Sequence, residues 1–60
     1  MKRKIVLYAL FYSDAVYVAN TLYRPAIDIS QDICTQEEWI DKGRAIRVEH
    51  YDCVYYIVKY

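Results

Sequence analysis

The sequence predicts a small α+β domain: two β-hairpins forming one antiparallel sheet, with a single short helix packed on one face, in the order ββαββ. Three observations predict it. Most of the chain is β-branched, aromatic or leucine-rich, and much of it alternates with period two. Two short turn-type pairs, Ser13-Asp14 and Tyr51-Asp52, separate strand-like runs where hairpin turns belong. Residues 35–43 alone carry a full set of helix start and stop signals.

Residues 4–12 (KIVLYALFY) contain no breaker, and residues 15–23 (AVYVANTLY) form a second run after Ser13-Asp14. We read them as a hairpin, because Val16, Tyr17, Val18, Thr21 and Tyr23 favour strand over helix. The alternative is a helix over residues 15–24, N-capped by Asp14. In the hairpin, alternation places Ile5, Leu7, Ala9 and Phe11 opposite Val16, Val18 and Leu22 on an aliphatic face. The other face then collects Tyr8, Leu10, Tyr12, Tyr17 and Tyr23.

Arg24-Pro25 ends the second run, because proline cannot donate to a ladder. In the following connection, Ile27, Ile29 and Ile33 are the expected anchors onto the core. Thr35 with Glu38 three residues later is a capping box, flanked by Cys34 and Trp39 at the positions of a hydrophobic staple. Glu37 and Glu38 lie at the positive end of the helix dipole, Lys42 at the negative end, and Gly43 is placed to terminate. So short a helix persists only when docked, and Trp39 and Ile40 are its large apolar groups. Trp39 is therefore expected to anchor it on the aliphatic sheet face.

Residues 44–50 alternate, with Ile46, Val48 and His50 on one side and Arg47 and Glu49 on the other. Tyr51-Asp52 turns the chain into residues 53–60. A two-residue turn sets Ile46 beside Ile57 and Val48 beside Tyr55; a three-residue turn would bury Val54, Tyr56 and Val58 instead. Both registers satisfy the pattern.

Residues 1–60 make one compact domain, near the lower size limit for folding without a staple or a partner. The N-terminal residues 1–15 superficially fit a secretory signal, but Tyr8 and Tyr12 interrupt the apolar run, which is also too short for a membrane-spanning helix. Cys34 and Cys53 are read as reduced thiols of a cytoplasmic protein, with a single disulfide between them as the alternative. With no CxxC and a single His, they make a poor zinc site, so no metal or cofactor is expected.

No nucleotide-binding or metalloprotease motif is present. His50 near Asp52 and Cys53 supplies the minimum for thiol catalysis, but no glycine-rich turn offers an oxyanion hole beside it. The expectation is therefore a non-enzyme with no catalytic residues. Eight tyrosines in sixty residues point to contact surfaces instead. The expected partner-binding residues are Tyr8, Tyr12, Tyr17 and Tyr23 on the sheet face, with Asp28, Asp32, Glu37 and Asp41 on an acidic helix-loop segment. The partner is another protein, and the chain fits a small regulator or inhibitor of the kind a phage or mobile element encodes. A nucleic-acid binder stacking bases on the tyrosines is less favoured, because eight basic and eight acidic residues cancel. A homodimer that hides the tyrosine face is the remaining alternative.

Overall fold

The computed structural model describes residues 2–24 and 29–60. The elements run β1 (Arg3–Ala9), α1 (Tyr12–Tyr23), β2 (Ile29–Asp32), α2 (Gln36–Ile40), β3 (Ile46–His50) and β4 (Cys53–Lys59). The strands form one four-stranded sheet in the order β1-β4-β3-β2. β1 pairs parallel with β4, while the β4–β3 and β3–β2 pairs are antiparallel. The fold is thus small and α+β as expected, but the sheet is mixed and the element order is βαβαββ.

The correction comes from one segment. Residues 12–23 are helix, not the second strand of an N-terminal hairpin. Their inward positions are Tyr12, Ala15, Val16, Val18, Ala19 and Leu22, which recur at spacings of three and four and make one helical stripe. Ala15 and Ala19 are fully buried. Two methyl side chains at the contact let the helix axis approach the sheet closely. A strand would have spread the same residues over two faces. The helix begins one turn before Asp14, at the N-cap Phe11, which contributes no side-chain cap. Asp14 lies in the first turn, where its charge meets the positive end of the dipole.

α2 forms as its local signals dictate. The Glu38 amide donates to Thr35 Oγ1 at 3.2 Å, and the Thr35 amide donates to Glu38 Oε1 at 3.1 Å. Both halves of the capping box are therefore made. Gly43 takes φ +67°, which turns the chain so that the Arg44 amide reaches back to the Glu38 carbonyl at 2.9 Å. Trp39 is fully buried, packs against the Tyr12 ring at 5.7 Å, and donates from Nε1 to the Ile57 carbonyl at 3.1 Å. It anchors the helix on the sheet as expected. Ile40 does not share that role and stays exposed.

The core beneath the two helices is Ala15, Ala19, Cys34, Trp39, Ile46, Val48 and Ile57. Leu7, Ala9 and Tyr55 flank it from the sheet. Phe11, expected on this face, is instead 62% exposed at the start of α1. Ile33, expected as an anchor, is also exposed, and its neighbour Cys34 takes the buried place. The expected contacts of Ile27 and the role of Asp28 lie outside the described residues. The β3–β4 hairpin adopts the two-residue turn, pairing Ile46 with Ile57 and Val48 with Tyr55. Tyr51 accepts φ +46°, a conformation unfavourable for a side-chain-bearing residue, and so allows the tight turn.

Candidate interaction surface

Both helices pack on one side of the sheet, so neither described helix covers the opposite face. Alternation along the paired strands assigns that open face to Lys4, Val6 and Tyr8 of β1, and to Val54, Tyr56 and Val58 of β4. Arg47 and Glu49 of β3 continue it toward β2. Tyr60 follows β4, and its ring meets Tyr8 edge-on at 6.3 Å.

The two ends of this face differ. Near the β3–β4 turn, Val54 lies between Lys4 and Glu49 on its two neighbouring strands. An ion pair from Lys2 to Glu49 crosses above it, and Arg47 joins Glu49 at 3.1 Å. Long charged side chains thus roof this end, and Val54 is only 7% exposed. At the other end the roof is absent: Val6, Tyr8 and Tyr60 all stand in solvent. Lys4 lies over the Tyr56 ring at 5.1 Å, between the two regions.

The apolar exposure continues around the edge of the sheet. Leu10 and Phe11, where β1 runs into α1, are both more than half exposed. They line an open depression of about 500 Å³ together with Tyr12, Gln36, Ile40 and Lys59. Val6, Tyr8 and Tyr60 are thus exposed at the open face, and Leu10 and Phe11 are exposed at the depression where β1 runs into α1. Isolated exposed hydrophobic residues are ordinary on any protein surface.

The expected tyrosine face is rearranged accordingly. Of Tyr8, Tyr12, Tyr17 and Tyr23, only Tyr8 lies on the open sheet face. Tyr12 is half-buried on the helix side and donates its hydroxyl to the Cys34 carbonyl at 2.5 Å. Tyr17 and Tyr23 project from α1 into solvent, on the other side of the molecule. Tyr56 and Tyr60 take their place beside Tyr8. A β1–β4 pairing was needed to bring them there, and no local signal at either strand announces a parallel partner.

The acidic segment is also divided. Asp32 is held by Arg44 Nη2 at 3.0 Å, and the same guanidinium holds Glu38 through Nη1 at 2.9 Å. The Thr35 amide, then Arg44 and the Thr35 hydroxyl, draw the Glu38 carboxyl down to about 2. Arg44 is correspondingly pushed upward, chiefly by its bond to Glu38. Glu37 on α2 and Asp41 at its C-cap remain exposed, and neither lines the depression.

Cys34 and Cys53 are free thiols. Burial pushes the Cys34 thiol up, and its Sγ lies 3.5 Å from the Arg44 carbonyl as a donor. This is the setting of a structural cysteine. Burial also raises the Tyr55 phenol, with the neighbouring Cys53 adding to the shift. His50 is cross-strand to Cys53 and stacks edge-on with Tyr51 at 4.8 Å. Among the described residues, no three His, Cys, Asp or Glu side chains converge to hold a metal ion. No described helix is long and apolar enough to cross a membrane. No known family model matches the chain, and no curated protein or solved structure matches it either.

Proposed function

We propose that this chain is a small, non-enzymatic protein-binding regulator or inhibitor, acting in the cytoplasm, whose partner docks on the bare end of the open sheet face. One observation carries the reading: Val6, Tyr8 and Tyr60 stand exposed together beside Tyr56 and Val58, on a sheet face that neither helix covers. Tyrosine supplies a large, rigid, amphipathic contact at low entropic cost, which is why it anchors protein interfaces. Glu37 and Asp41, both exposed, add negative charge that suits a basic patch on the partner. The reading places it with the small inhibitors that phages and other mobile elements encode.

Joint Tyr8→Ser and Tyr56→Ser substitution tests the reading. It is expected to abolish capture of the partner from host extract while the thermal transition moves by only a few degrees. Retained capture sinks the proposal, as does a chain that no longer folds when only Tyr8 is changed, because Tyr8 would then be core.

A second reading has its own observation. Lys4 over Tyr56, with Arg47 directly cross-strand, is a cation-flanked aromatic on a sheet face, the arrangement on which single-stranded nucleic acid stacks. It predicts oligonucleotide binding that weakens steeply with salt. Absence of binding at low salt ends that reading.

A further inference from the structure

β1 is an edge strand, bonded among the described residues to β4 alone. The Arg3 amide donates to the Asp52 carbonyl at 2.5 Å, and the Tyr60 amide donates to the Ala9 carbonyl at 2.8 Å. Odd-numbered residues of β1 therefore turn their backbone groups toward β4. Because these groups alternate sides along a strand, Lys4, Val6 and Tyr8 direct theirs outward. This edge is seven residues long, has no proline or bulge, and carries Val6 and Tyr8 exposed beside it. Such an edge is a template for another strand.

From this geometry we infer that the occupant is a second copy of the chain, with the two β1 strands paired antiparallel about a two-fold axis at Val6. Three features select it. Val6 is the midpoint of Arg3–Ala9, so full-length symmetric pairing sets Val6 against Val6 of the second copy as a hydrogen-bonded pair. The same register sets Lys4 against Tyr8 of the second copy, repeating the cation-over-ring contact that Lys4 already makes with Tyr56. It also places the two basic N-termini, Lys2 to Lys4, at opposite ends of the joint. Moving the two-fold axis two residues, from Val6 to Lys4, would instead set Lys4 against Lys4. On the helix side Ile5, half-buried in one copy, meets Leu7 of the other.

Assembly then stops at two. Symmetric use of the same edge leaves only β2 at either end of an eight-stranded sheet. β2 is four residues long, and Ser30, Gln31 and Asp32 make it a poor template. The dimer does not depend on the partner-docking proposal. It would extend the Tyr8–Tyr56–Tyr60 surface across two copies.

Sedimentation over a concentration series is the first test, with the mass expected to rise from 7.2 kDa toward twice that value. Val6→Pro removes an outward amide that β4 does not use, so it is expected to leave a folded chain that stays monomeric throughout. Val6→Lys, which opposes two charges at the axis, is the second variant should the proline disturb folding. In a Cys53→Ser background, Val6→Cys is expected to oxidise to a covalent dimer, because a hydrogen-bonded antiparallel pair has its Cα atoms about 5.5 Å apart. Lys4→Cys mixed with Tyr8→Cys should cross-link, and each alone should not. A wild-type chain that remains at 7.2 kDa at every concentration overturns the inference. So does a folded Val6→Lys chain that still dimerises, or faster cross-linking of Tyr8→Cys alone than of Val6→Cys.

Discussion

The two helices reach the same sheet by opposite routes. α2 is five residues long and nearly every stabilising device is local: both halves of the capping box, acids in the first turn and a left-handed glycine beyond its end. α1 is twelve residues long and has no side-chain cap at Phe11, no base in its last turn, and several residues of strand preference. What holds α1 is the fit of Ala15 and Ala19 against the sheet, with its largest set of contacts to β3. A helix can therefore be set by its ends or by its buried face, and only the first kind is plain from local residues. α2 nevertheless needs the sheet as well, because a helix of five residues is not stable alone. Trp39 is the link between its local design and the core.

The largest expected effect comes from cutting that link. Trp39→Ala is expected to cost about 3–5 kcal/mol, since it empties a fully buried site and removes the bond to the Ile57 carbonyl. In a domain this small, much of the total stability would go, and chemical denaturation would show it. A loss below about 1 kcal/mol would mean that α2 is held by its caps after all. The corresponding break in α1 is Ala19→Leu. Extra methylenes at a fully buried contact are expected to cost about 1–3 kcal/mol by forcing helix and sheet apart. Val18→Ala, on the flank of the same helix, should cost less, and a reversed order would refute the account of the alanine stripe.

Smaller effects belong to the caps. Thr35→Ala is expected to cost about 1 kcal/mol, by removing the hydroxyl that accepts from the Glu38 amide. Phe11→Ser is expected to leave stability level or slightly raised, because it offers α1 the cap it lacks. The contrast between these two measurements sharpens the difference between the helices.

Acid titration gives the last test. The folded Glu38 carboxyl is drawn below its ordinary value of 4.5 to about 2, so its contribution is fully present above pH 4.5. That contribution is lost as the pH falls through the window from about 4.5 to 2. Glu38→Gln should flatten this part of the stability profile, and an unchanged slope would exclude the cap as its source. The side chain is still partly open to solvent, so the effect is expected to be small.

Only part of the candidate surface was legible in advance. Alternation assigned Ile5, Leu7 and Ala9 to the covered face and Tyr8 to the other, and the strand obeys it. Tyr12, Tyr17 and Tyr23 share that face only if the chain forms a hairpin at Ser13-Asp14, and the helix at residues 12–23 carries them elsewhere. The signal against the hairpin was present. Tyr12, Ala15, Val16, Ala19 and Leu22 repeat at three and four, whereas residues 15–23 hold no strict alternation. The β-branched residues of this segment favour strand locally, but burial of the alanine stripe overrides that propensity.

What the amino-acid order determined by itself is whatever depends on neighbours a few residues apart. That covers the α2 capping box, the glycine that ends α2, the inward side of β1 and β3, and the need for Trp39 to dock. The tertiary structure alone decided that β1 lies parallel to β4, that α1 crosses the sheet, and that Tyr8, Tyr56 and Tyr60 share one open face. A parallel partner 50 residues away leaves no mark on either strand's own pattern. Its pairing is selected only when the whole apolar set, Trp39 and the two alanines included, is buried at once.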